Sequence, residues 1–232
     1  MALVRPVAAA DAGASTEPCQ LTASASTSDS TILPGEPLEI AFHLKNATPA
    51  ALSLEWPSET VGTVQLRIVS DLDPTKPKKY LGPRWAMEDS VRSPRTLPRN
   101  ASVDLSLRVL FQVRQQPYAF STAGTYQLRL SYADEPACPE GIEAPLLTVK
   151  VMDPRGVDLA VWNAIKDCAR CAHLLHTGRA GKNPADQGAV ALLRSLVRQY
   201  PNNRYAKTFR KQLDALDDRE KHEHKDHKPH DD

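Results

Sequence analysis

No apolar run in these 232 residues approaches the roughly 18 that a membrane-spanning helix needs, so no integral membrane segment is expected. Charge of one sign is lacking too. The formal net charge is +1, which leaves no global field for nucleic acid or an anionic membrane. Catalytic signatures are missing: there is no Gly-rich phosphate loop, no His-Glu-x-x-His and no sequence-readable Ser/His/Asp constellation. The reading is therefore of a chain that is not an enzyme, although a triad assembled in space leaves no such trace. Met1 to Pro18 is rich in alanine and lacks the apolar stretch of a signal peptide. Residues 1–18 are read as a disordered leader. The alternative is that Val7 to Ala12 is the remnant of a cleavage region.

Proline is abundant at 19 residues, as suits a loop-rich β domain. Tyr126, Leu128, Leu130 and Tyr132 share one face at period two, with Gln127, Arg129 and Ser131 on the other. That alternation marks a half-buried antiparallel strand. Six more runs read the same way: Gln20 to Ala25, Leu38 to Leu44, Leu52 to Trp56, Val64 to Ile68, Val103 to Val109, and Leu147 to Val151. Pro34-Gly35-Glu36-Pro37 and Asn46-Ala47-Thr48-Pro49 are turns. A polar insert over 71–100 holds Lys76-Pro77-Lys78-Lys79, read as a solvated loop. Seven short strands divided by turns predict a two-sheet sandwich over residues 19–153.

The pattern changes after Met152-Asp153-Pro154. Val161, Ile165, Cys168, Ala172 and Leu175 stripe a first helix with Asp158 as its N-cap. Val190, Leu193, Val197 and Tyr200 stripe a second opened by Asp186, and Tyr205, Phe209, Leu213 and Leu216 a third. The fold class is thus mainly β with C-terminal α, with about three helices in a module over 157–216. Residues 217–232 are charged throughout and read as a frayed helix end passing into a disordered His-rich tail.

The order Ala123-Gly124-Thr125-Tyr126-Gln127-Leu128 resembles the start of strand F in immunoglobulin-like domains, where a corner tyrosine precedes a buried inter-sheet position by two residues. The resemblance implies that Tyr126 is that tyrosine, that Leu128 stands where antibody domains carry cysteine, and that Trp56 lies in a strand that often buries a Trp. Leu196-Val197-Arg198-Gln199-Tyr200-Pro201-Asn202-Asn203-Arg204-Tyr205-Ala206 resembles the interhelical turn of tetratricopeptide-like repeats. The general pattern resembles bacterial envelope proteins.

Cys168-Ala169-Arg170-Cys171-Ala172-His173 is the main candidate for chemistry. The histidine is displaced by one residue from the Cys-x-x-Cys-His that haem attachment needs. Both cysteines are placed mid-helix, which argues against a thioredoxin-like site, whose first cysteine sits at a helix N-terminus. A packing pair or local disulfide, a metal site and a redox site stay open. The candidate metal ligands are Cys168 and Cys171 with His222, His224, His227 and His230, for loose Zn2+ or Cu2+; no other cofactor is expected. Cys19 and Cys138 are either a second disulfide, closing a loop of about 120 residues worth up to about 5 kcal/mol, or free thiols. Asn46-Ala47-Thr48 and Asn100-Ala101-Ser102 match the glycosylation sequon.

The expected function is a non-catalytic binding or scaffold protein, secreted or periplasmic, whose partner is another protein. One alternative is a β-sandwich proteinase inhibitor. Leu38 to Asn46 and Leu52-Ser53-Leu54 resemble the opening of small bacterial inhibitors, and the insert over 71–100 would present the inhibitory segment. The other alternative is metal handling by the cysteine pair and the His-rich tail.

Overall fold

The structure, a computed structural model, describes residues 21–58, 62–82, 94–112, 116–134 and 138–226. Eleven strands precede four helices: β1 (Leu21–Thr27), β2 (Thr31–Ile32), β3 (Leu38–Asn46), β4 (Leu52–Glu55), β5 (Val64–Ser70), β6 (Asp73–Lys79), β7 (Pro94–Leu97), β8 (Ser102–Val109), β9 (Gly124–Asp134), β10 (Cys138–Glu143), β11 (Leu147–Val151), then α1 (Val157–Ile165), α2 (Ala169–Thr177), α3 (Pro184–Gln199) and α4 (Ala206–Asp226).

Period-two patterning fixes which face of each strand is buried. In β3, Leu38, Ile40, Phe42 and Leu44 are fully buried. In β9, Leu128, Leu130 and Tyr132 are fully buried and Tyr126 nearly so, while Gln127 and Arg129 are exposed. One sheet has the order β1-β3-β8; a second runs β2-β11-β9-β5-β6, with β10 also on β9; β4 and β7 form a third. Pairing is antiparallel except between β11 and β2. The inner faces of the first two sheets meet in a single hydrophobic core that contains both Phe42 and Leu128. At about 25 cal/mol per Å2, this burial is the leading stabilising term.

The seven expected strands correspond to β1, β3, β4, β5, β8, β9 and β11. The four additional ones are short, polar or broken by turns, and carry too few apolar residues for a period to show. Lys76, Lys78 and Lys79 are in edge strand β6 rather than in a loop. Pro74 and Pro77 have no N–H to donate, so they are tolerated at an edge. The lysines discourage pairing with another chain there.

The helix count is four rather than three. The first expected helix is interrupted at Lys166-Asp167-Cys168. The Cys168 N–H donates to the Ile165 carbonyl (2.8 Å), closing α1, and α2 starts anew. Asp158 is not an N-cap. It lies in the first turn of α1, after Gly156. Asn183 caps α3, and its Oδ1 accepts from the Asp186 N–H (3.0 Å). Helix α4 continues past Leu216 to Asp226, so the segment read as tail is helical that far. Asp218, Arg219, Lys221 and His222 are exposed on it, and Arg194 and Asp217 tie it to α3. His227 and His230 lie outside the described residues.

Asn46 is not available as a glycosylation acceptor. It is fully buried. Its Nδ2 donates to the carbonyls of Ala50 (2.9 Å), Leu97 (3.0 Å) and Pro98 (3.1 Å), and its Oδ1 accepts from the N–H and hydroxyl of Thr48. One amide therefore joins the turn after β3 to the end of β7. Asn46→Ala leaves those groups buried without partners and should cost about 2–3 kcal/mol, read as a lowered urea midpoint with unchanged slope.

Candidate functional site at the junction of sheets and helices

The turn Pro34-Gly35-Glu36-Pro37 between β2 and β3 is the seat for the helices. Gly35 has φ +74°, a conformation other residues adopt only with strain. A Cβ there would lie 2.6 Å from the Trp162 ring. Bare backbone at this position lets α1 lie against the sheet end. Trp162 also packs edge-on against Tyr118, with centroids 5.2 Å apart. Leu33, Leu110 and Tyr118 thereby leave the sheet region and join the helical core, alongside Ile165, Leu175, Leu193 and Phe209.

Polar contacts align the same seat. The Glu36 carboxylate accepts from the Leu33 N–H (2.7 Å) and from Arg204 Nε (2.8 Å). Arg204 Nη2 donates to the Thr31 carbonyl (2.9 Å), and its own N–H donates to Asp158 (3.0 Å). The Tyr205 hydroxyl donates to the Pro34 carbonyl (2.9 Å). Burial raises the Glu36 pKa, and the Leu33 N–H and Arg204 partly oppose that rise. On the other flank, Arg108 Nη2 donates to the Leu175 carbonyl (3.0 Å) in the last turn of α2, where a cation also suits the helix dipole. His176 is held to about 4 by burial, with Arg108 and His173 adding to the effect. It is neutral at pH 7, and its Nδ1 faces the Phe111 N–H at 3.5 Å.

The cysteines are not mid-helix. Cys168 is the N-cap of α2 and is joined to Cys171 by a disulfide. At φ −89° and ψ 89° its Sγ folds back over the first turn and accepts from the Cys171 N–H (3.1 Å). A bonded sulfur is not a thiolate, so in this form the pair offers no metal ligands. His222 is exposed on α4, far along the chain from the pair, and His224 is in the same helix. Among the described residues no group of three or more His, Cys, Asp or Glu is placed to hold a metal ion. Cys138 is fully buried and disulfide-bonded; Cys19, its expected partner, lies outside the described residues.

A second feature is an open cleft of about 160 Å3 along the β6 edge, lined by Ser70, Leu72, Lys76, Lys78, Gln116 and Tyr126 among others. Leu72 at its rim is 68% exposed. Of the segment expected to present an inhibitory loop, β6 and β7 are tied into sheets and residues 83–93 lie outside the described residues. Trp56 is only partly buried and lies under Arg95, 5.3 Å from the ring centroid.

Sequence reasoning missed the junction almost entirely. Pro34-Gly35-Glu36-Pro37 was legible as a turn, and Arg204 only as part of an interhelical link. Their pairing across 168 residues has no local signal. The one available hint was a carboxylate between two turn-forming prolines.

Arg204→Ala should destabilise the protein by about 2 kcal/mol at pH 7, between the values for buried and exposed pairs, because Arg204 is 43% exposed and Glu36 only 10%. Glu36 already has a folded pKa above its ordinary 4.5, so its ionisation disfavours folding, and loss of Arg204 raises that pKa further. The deficit should be largest at neutral pH and shrink as pH falls towards 4.5, where a protonated Glu36 needs no cation. Urea titrations of both proteins across that range check it.

No protein-family model matches the chain, and no curated protein matches it. Among solved structures it is similar to the alkylpurine DNA glycosylase AlkC of Pseudomonas fluorescens (TM-score 0.36, 11% identity, over 57% of this chain and 30% of that one). It is also similar to a CARDB domain of Pyrococcus furiosus (0.29, 11%, 57% and 87%) and to a sporulation control protein of Bacillus subtilis (0.37, 11%, 63% and 54%). The chain matches less than a third of the glycosylase. At these scores the likenesses carry no functional argument. Among the described residues no helix is long and apolar enough to cross a membrane.

Proposed function

We propose that this chain is a non-catalytic protein-binding or scaffold protein acting outside the cytoplasm, built on an immunoglobulin-like sandwich with a helical module seated on one end. The cleft beside β6 carries the binding reading. There an exposed leucine and two lysines border a groove floored by Tyr126, a combination of apolar anchor and charged rim that suits a protein surface.

Two further observations support the architecture. The Tyr126 hydroxyl donates to the Thr122 carbonyl (2.9 Å), four residues upstream, as a corner tyrosine does. The short link from Tyr200 to Tyr205 folds α4 back against α3, in keeping with a tetratricopeptide-like pair. The Cys168–Cys171 bond and the bonded Cys138 suit an oxidising compartment.

The test is affinity capture from envelope and cytosolic fractions of the source organism. The intact protein is used beside a Leu72→Asp, Lys76→Glu, Lys78→Glu variant with an unchanged circular dichroism spectrum. The expected result is an envelope protein held by the intact chain and lost by the variant. Equal capture by both, or a partner found only in the cytosolic fraction, contradicts the reading.

A further inference from the structure

We infer that the Cys168–Cys171 disulfide is a redox-active site that exchanges with a dithiol on another molecule, an activity separate from binding at the β6 cleft. The bonded sulfurs are the reacting group, and two features of their placement distinguish them from a structural staple.

The first is asymmetry of access. Cys171 is fully buried in the helical core, whereas Cys168 is partly exposed at its edge. An incoming thiolate can reach one sulfur and not the other. The second is the hydrogen bond from the Cys171 N–H to the Cys168 Sγ (3.1 Å) at the start of α2. On reduction the same donor and the positive end of the helix stabilise a thiolate on Cys168, which lowers its pKa. The charge around the pair is balanced. Lys166 and Arg170 are exposed on either side, opposed by Asp167. Asp186 of α3 is paired with Arg170 (3.3 Å). Arg219 of α4 and Arg108 of β8 lie at the far end of α2, on Gly178 and Leu175. His173, one turn along α2, is held below its ordinary pKa by burial, with Asp186 opposing and Arg170 adding to the effect, which favours its uncharged form.

The exchange balances without any further reagent. A thiolate of the substrate dithiol attacks Cys168 Sγ, the Cys168–Cys171 bond breaks, and the electron pair leaves on Cys171, which takes a proton in its buried site. The second substrate thiolate then attacks the substrate sulfur of the mixed disulfide and releases Cys168 as a thiolate. The substrate gains a disulfide and is oxidised by two electrons; Cys168 and Cys171 are reduced by the same two. The short span of the bonded pair means α2 need not unfold for this.

The test uses the full chain and dithiothreitol as the dithiol. Reduction is followed by mass after alkylation, and folding by circular dichroism. The pair is expected to reduce and reoxidise reversibly in the folded protein, with the Cys138 bond retained. In a Cys171→Ser variant the remaining Cys168 thiol should give a thiolate fraction at pH 7 at least about tenfold above that of free cysteine, whose pKa is about 8.5, read from absorbance at 240 nm. That variant should also trap a mixed disulfide with a thiol probe, and Cys168→Ser should not. The inference is overturned if the wild-type pair reduces only when the protein unfolds. It is equally overturned if the Cys168 thiol titrates at or above the ordinary value, or if both variants trap the probe alike. The wild-type measurement decides the matter if either variant fails to fold.

Discussion

The absence of a side chain at Gly35 is the constraint on which the rest of the structure depends. The backbone at φ +74° turns the chain from β2 into β3 and leaves the space that the Trp162 ring fills. With that contact made, Glu36 is buried and must find a cation, and Arg204 supplies it from the link between α3 and α4. Tyr205, the next residue, donates to the carbonyl of Pro34. Three consecutive turn residues thus contact α1 and the α3–α4 link, whose sequence positions are more than a hundred residues away. Burying Trp162 contributes about 4–6 kcal/mol of gross transfer free energy, and the polar contacts decide the orientation in which that burial happens.

This seating organises both the β6 cleft and the disulfide. β9 is the central strand of the larger sheet, with β5 on one side and β11 and β10 on the other. Its first buried residue, Tyr126, also reaches the β6 cleft. β11 leads directly into α1, and α1 ends at the turn that presents Cys168. The cleft and the disulfide are therefore both attached to one framework, the first through β9 and the second through α1.

Strand positions were legible because period-two burial is written into consecutive residues: β3 and β9 could be read without any knowledge of their neighbours. Tyr126 was legible for the same reason, since its hydroxyl bonds only four residues away. What failed was information carried by distant pairs or by a single residue's geometry. The apolar spacing of Val161, Ile165, Ala172 and Leu175 runs straight through Asp167 and Cys168, because two short helices in near-register keep the same stripe. Cys168 was therefore placed mid-helix, and the feature that gives it chemistry, its N-cap position, was hidden. β6 was unreadable because an edge strand is selected for charge and proline rather than alternation. The helical course of α4 beyond Leu216 was hidden by composition: a charged helix looks like a tail when only apolar spacing is counted.

Through the Gly35 seat the sheets and helices should behave as one cooperative body. Native-state hydrogen exchange tests it most directly. Backbone amides of α3, which packs on α2 and α4, are compared with those of β9 under increasing denaturant. The slowest amides of both elements should converge on the same opening free energy and the same denaturant dependence. If the α3 amides exchange through a separate opening of lower energy while β9 stays protected, the helices are an independent unit and the account fails.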